Sequence, residues 1–131
     1  MGIFNLFKTQ RNREKLSHLK NLVALSLADG KIQEPELVAI AAICSREGLT
    51  EDDLEKCLKA PESINFVPPT DEKTKIKYLK DMVMLMMVDG NIDDTEMLTC
   101  KLTAEALGFR HEIVDAMIIN IIKDIKHEMN L

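Results

Sequence analysis

The chain has no tryptophan, one tyrosine, five glycines and four prolines. So little aromatic and turn-forming material excludes a hairpin-rich sheet protein, because strands draw on aromatic and β-branched residues and tight hairpins on glycine. Cys44, Cys57 and Cys100 are odd in number and form no CxxC pair. That argues against a disulfide framework or a zinc knuckle and for a reducing, cytoplasmic location. No apolar run approaches the roughly 18 residues that cross a bilayer. Positive charge is also in short supply: 17 Lys and Arg stand against 22 Asp and Glu, a net charge of −5, which excludes a nucleic-acid binder resting on phosphate contacts. What is present is Leu, Ile, Met, Lys and Glu, with 46% hydrophobic and 30% charged residues over 131 positions. These are helix formers, and apolar enough for a sizeable core, so the expectation is one all-α domain over residues 1–131.

The chain opens on Ile3, Phe4, Leu6 and Phe7, followed by Lys8, Arg11, Arg13 and Lys15. A secretory signal has the opposite order, and Leu6 stands where a myristoylation signal has Ser or Thr. The segment is therefore expected to pack on the domain, with membrane or partner contact by its four apolar residues as the alternative.

A repeat organises the rest. Leu19–Leu49 aligns with Leu79–Phe109 at a constant offset of 60 without a gap, and nine of the 31 positions are identical. The identities are Leu19/Leu79, Lys20/Lys80, Val23/Val83, Leu25/Leu85, Asp29/Asp89, Gly30/Gly90, Ile32/Ile92, Glu36/Glu96 and Gly48/Gly108. Each copy reads as a three-helix unit, the first over about residues 14–58 and the second over about 72–129, joined by a Pro-containing linker at 59–70. The result expected is a helical bundle of two pseudo-symmetric repeats. Leu16, Leu19, Leu22, Val23 and Leu27, like Ile76, Leu79, Met82, Val83, Met86 and Met87, recur at three and four residues and mark inward faces. Further helices are expected at 34–47 and 94–107, each stopped by Gly48 or Gly108, and a short one through Leu58 capped by Thr50. The last helix, about Arg110 to Met129, carries Ile113, Val114, Met117, Ile118, Ile121, Ile122 and Ile125 around much of its circumference. It is either central or the face of a homodimer.

Asp-Gly-x-Ile-x-x-x-Glu occurs twice, as Asp29-Gly30-Lys31-Ile32 through Glu36 and as Asp89-Gly90-Asn91-Ile92 through Glu96. The pattern matches the second half of an EF-hand calcium loop. The first half fails, because Leu25, Leu27, Leu85 and Met87 stand where oxygen ligands belong. A complete calcium loop is excluded, which leaves a degenerate calcium sensor as a minor alternative.

The duplicated motif within a duplicated helical unit resembles the TerB-like tellurite-resistance domain family, and also the amino-terminal region of some membrane-anchored J-domain co-chaperones. The resemblance covers roughly Leu16 to Ile125. It implies a compact helical domain serving stress responses, with the motif acids as a divalent-cation site. Carried onto this chain, those ligands are Asp29, Glu36, Asp89 and Glu96, with Asp93 supplying a spare carboxylate and calcium or magnesium as the ion.

Capping competes for the same acids. Asp29 ends a helix, where its charge opposes the dipole, yet it can accept from the amides opening the next one, and Glu36 can reach back as in a capping box. Asp93-x-x-Glu96 fits that box better than Gln33-x-x-Glu36. Met82, Met87 and Met97 have Leu22, Leu27 and Leu37 as counterparts and read as core filling, leaving Met84 and Met86 as extras. His18, His111 and His127 have no ligand spacing and are expected at the surface. With no nucleophile or phosphate-loop pattern, no catalytic residue is assigned and no cofactor is required. The function expected is a non-catalytic cytoplasmic binding module of the TerB-like type, acting on unidentified protein partners and modulated by a divalent cation. The alternative is a metal-dependent hydrolase using the same acids.

Overall fold

The computed structural model describes the backbone of residues 3–28 and 30–130 and the side chains of residues 9–28 and 30–130. The helices among them are α1 (Ile3–Ser26), α2 (Glu34–Arg46), α3 (Glu51–Lys59), α4 (Glu72–Met87), α5 (Asp94–Ala106) and α6 (Glu112–Glu128), with a 3-10 turn at Pro61–Ser63. No strand occurs among the described residues, so the chain is an all-α bundle. None of the described helices is long and apolar enough to cross a membrane.

α1 begins at Ile3, well before the start near residue 14 that the repeat suggests. No glycine or proline interrupts Ile3 through Leu27, so nothing stops the helix from growing backwards over the basic stretch. The side chains of Ile3, Phe4, Leu6 and Phe7 lie outside the described residues. α2 and α5 end as expected. After α2, Gly48 sits at φ 72° and donates to the Ser45 carbonyl at 3.0 Å, while the Leu49 amide donates to the Cys44 carbonyl at 2.9 Å. Gly108, at φ 94°, and Phe109 repeat this with the carbonyls of Glu105 (2.9 Å) and Ala104 (3.0 Å). The left-handed turn satisfies carbonyls that the helix end leaves open.

The core lies where α1 crosses α4, with Leu19, Leu22, Val23, Leu25, Leu79, Met82, Val83, Leu85 and Met86 buried. Ile40 and Cys44 from α2, Cys57 from α3, Cys100 and Ala104 from α5, and Val114 and Ile121 from α6 close over it. The segment between α3 and α4 is fastened to α1: the Val67 amide donates to Ser17 Oγ at 2.8 Å, Lys20 Nζ donates to the Ile64 carbonyl, and Ile64 joins the core.

Two apolar positions depart from the periodic reading. Leu27 is exposed because it follows the end of α1. Ile76 is exposed on the rim of a groove that it shares with Met117 and Ile121. In the links after the glycines, Ile32 is half-buried and packs against the core, whereas Ile92 is 42% exposed.

Candidate functional site

The two acidic motifs act differently from each other. Asp29 lies outside the described residues. Glu36, 2% exposed, accepts from the Gln33 amide at 3.0 Å through Oε1 and so holds the start of α2. In the second motif Asp89 Oδ1 accepts from the Asn91 amide at 3.0 Å, closing a local turn. Asp93 caps α5, its Oδ1 accepting from the amides of Thr95 at 2.7 Å and Glu96 at 3.4 Å. The backbone bond from Thr95 holds the Asp93 carboxyl below the usual range. The structure thus brings Asp93 and Glu96 together at one helix start. Among the described residues no three His, Cys, Asp or Glu side chains gather as a metal-holding group.

The densest polar cluster lies elsewhere, between α1, the end of α2 and α4. His18, expected at the surface, is 3% exposed. Its ring stacks on that of Tyr78 with centroids 3.8 Å apart and planes 3° from parallel. His18 Nε2 lies 2.8 Å from Asp81 Oδ2. Arg46 takes the same carboxylate with both forks, Nη1 to Oδ1 at 2.9 Å and Nη2 to Oδ2 at 2.6 Å. Its Nε donates to Glu47 Oε2 at 3.0 Å. Glu47 is further held by the Tyr78 hydroxyl, 2.7 Å from Oε1, and by Lys77 Nζ, 3.0 Å from Oε2. Two buried carboxylates thus meet two partly exposed cations, so neither buried charge is left unpaired.

Electrostatics follows from this geometry. Burial lowers the His18 pKa against the pull of Asp81, so the ring is neutral and Nε2 carries the proton it donates to Asp81. Burial also pushes the Asp81 and Glu47 carboxyls upward, but the bonds they accept outweigh it: Asp81 ends below its usual range and Glu47 falls to about 2. Burial and the bond to Glu47 raise the Tyr78 hydroxyl. Every acceptor oxygen of the two carboxylates is engaged, and the imidazole is packed on a ring face and bonded at Nε2. The carboxylate oxygens are thus spent on donors within the cluster. The arrangement clamps three helices.

His111 is exposed and contacts Glu105 and Glu112, and His127 is exposed, as the spacing suggests. Cys44, Cys57 and Cys100 are free and buried. Burial raises all three thiols, Cys57 to about 11 and Cys100 to about 12, so they remain protonated and inert.

The sequence carried one overlooked signal. At the offset of 60, the clamp falls on positions where the copies differ in chemistry: His18 against Tyr78, Asn21 against Asp81, Arg46 against Ala106 and Glu47 against Leu107. Attention to shared residues passes over such positions. Comparisons find no family model, no curated protein and no solved structure that matches the chain.

Proposed function

We propose that the chain is a non-catalytic, cytoplasmic helical binding module of the TerB-like kind that assembles through α6. The observation that carries this is a row of isoleucines on the outer side of α6. Ile119, Ile122 and Ile125 are between 39% and 53% exposed, and Met129 continues the row. A monomer has no folding reason to keep four large apolar side chains on one helix face in water.

A second copy of the chain suits this face. With two α6 helices laid antiparallel and Ile119 of one against Ile122 of the other, Asp115 comes opposite Lys126 at both ends of the stripe. A two-fold axis makes such a contact self-complementary. The buried clamp supports the non-catalytic part of the reading, and the three free, buried cysteines support a reducing compartment. The bonds that Glu36 and Asp93 accept support capping as the task of the motif acids.

The two-repeat architecture belongs to the same proposal. α2 and α5 are each 13 residues long, and Leu19/Leu79, Val23/Val83 and Glu36/Glu96 are buried in both copies. Sedimentation of the full chain at micromolar concentration tests the assembly. A dimer that Ile119→Ser with Ile122→Ser converts to a folded monomer is the expected result. A wild type that stays monomeric up to about 100 μM, well above typical cellular affinities, would overturn it.

A further inference from the structure

A cleft of about 590 Å³ opens beside the clamp, between the first half of α1 and the start of α4. It lies within the size range of small-molecule sites. Its walls are unusual for a chain of net charge −5. Arg11 and Lys15 line one side, and Arg46 and Lys77 line the other. The two pairs are held differently. Arg46 and Lys77 are fixed in place by the buried carboxylates of Asp81 and Glu47. Among the described residues neither Arg11 nor Lys15 has an ion pair, although Lys15 is half-buried. The two stand four residues apart on α1, where like charges repel.

The acids of the cleft make their bonds to groups other than Arg11 and Lys15. Glu47 is consumed by Tyr78, Lys77 and Arg46. Asp71 caps α4, taking the Thr74 amide at 2.8 Å and its hydroxyl. Glu14 is buried and takes the Gln10 amide at 3.2 Å. Two cations without an ion pair therefore face two prearranged ones across a hollow whose four cations and three carboxylates leave a net charge of +1.

We propose that this cleft binds a small phosphate-bearing molecule, with Arg11 and Lys15 closing on the phosphate from α1 and Arg46 and Lys77 presented to it from α2 and α4. Phosphate oxygens accept the forked bonds that guanidinium gives and carry the negative charge that Arg11 and Lys15, which have no ion pair, would meet. The concave wall favours a free phosphate compound over a lipid surface, which a flat or convex basic face would suit better. The site is separate from the outer face of α6, so it stands or falls independently of the assembly.

Calorimetric titration of the full chain with sodium pyrophosphate, at ionic strength held constant with sodium chloride, tests the proposal. Saturable 1:1 binding at or below about 1 mM is expected. Arg11→Gln with Lys15→Gln should weaken it by about tenfold or more, while Lys59→Gln with Lys123→Gln, remote exposed positions, should leave it unchanged. Thermal melting checks that both variants fold. No saturable heat, or equal binding by the Arg11/Lys15 variant, would overturn the proposal. So would equal weakening by the remote pair, or capture by phosphatidylcholine–phosphatidylserine vesicles without pyrophosphate binding.

Discussion

Asp81 and Glu47 show what a buried acid costs and what it returns. Each is taken from water and then saturated by donors, Asp81 by Arg46 and His18, Glu47 by Tyr78, Lys77 and Arg46. Glu47 takes up its proton only near pH 2 in the folded chain, against 4.5 as its ordinary value. Its ionised form therefore stabilises the fold fully above pH 4.5, and that contribution is lost as the pH falls through about 2. His18 works in the same direction. Its pKa is lowered from 6.5, so its share of stability is whole above 6.5 and declines as acid protonates the unfolded chain. Melting temperature should thus fall steadily on acidification, and Glu47→Gln should flatten the profile below pH 4.5 by removing the group that titrates there. The motif acids make a second prediction. If Asp89, Asp93 and Glu96 serve as turn and cap residues, the melting temperature of metal-stripped chain does not respond to calcium or magnesium. Asp89→Asn with Glu96→Gln then costs only about 0.5–2 kcal/mol in denaturant unfolding. A rise with either ion, lost in the double variant, would reverse that assignment. None of the clamp was legible residue by residue, because a lone histidine or arginine carries no spacing pattern. Its members come from α1, α2 and α4 and meet only after folding.

Elements were far more legible, and for local reasons. Gln33, Thr50, Asp71 and Asp93 stand as N-caps of α2 to α5, and Gly48 and Gly108 stop α2 and α5, each within a few residues of the helix it bounds. The start of α1 was not legible, since no residue there marks a boundary and the basic run continues the helix. Exposure at Leu27 was missed for a related reason: a period of three to four residues says nothing once the chain has left the helix. The C-terminal stops are open to direct test. Gly108 has φ 94° and no atom within 4 Å of where a Cβ would stand, so Gly108→Ala pays for backbone conformation and not for a clash. A loss of about 1 kcal/mol is expected in chemical denaturation. Asn, which tolerates the left-handed region, should lose less than Ala.

At the scale of the whole molecule the chain divides its surface. Basic residues collect along the first half of α1 and across the cleft from it, whereas the outer side of α6 is apolar between Asp115 and Lys126. Composition foretold an acidic helical protein, but the net charge hid the local basic cleft, which forms only when α1 and α4 pack together. The apolar excess of the last helix was visible in its isoleucines. The division between Val114 and Ile121, which are buried, and Ile119, Ile122 and Ile125, which are exposed, required α4 and α5 to be in place. Assembly through α6 is the central claim, and hydrogen exchange of the full chain as a function of its concentration tests it most directly. Amides of residues 112–128 should exchange more slowly as concentration rises from about 1 to 100 μM, a range that brackets typical dimer affinities, while those of α2 stay unchanged. Exchange in α6 that is the same at every concentration would contradict the account.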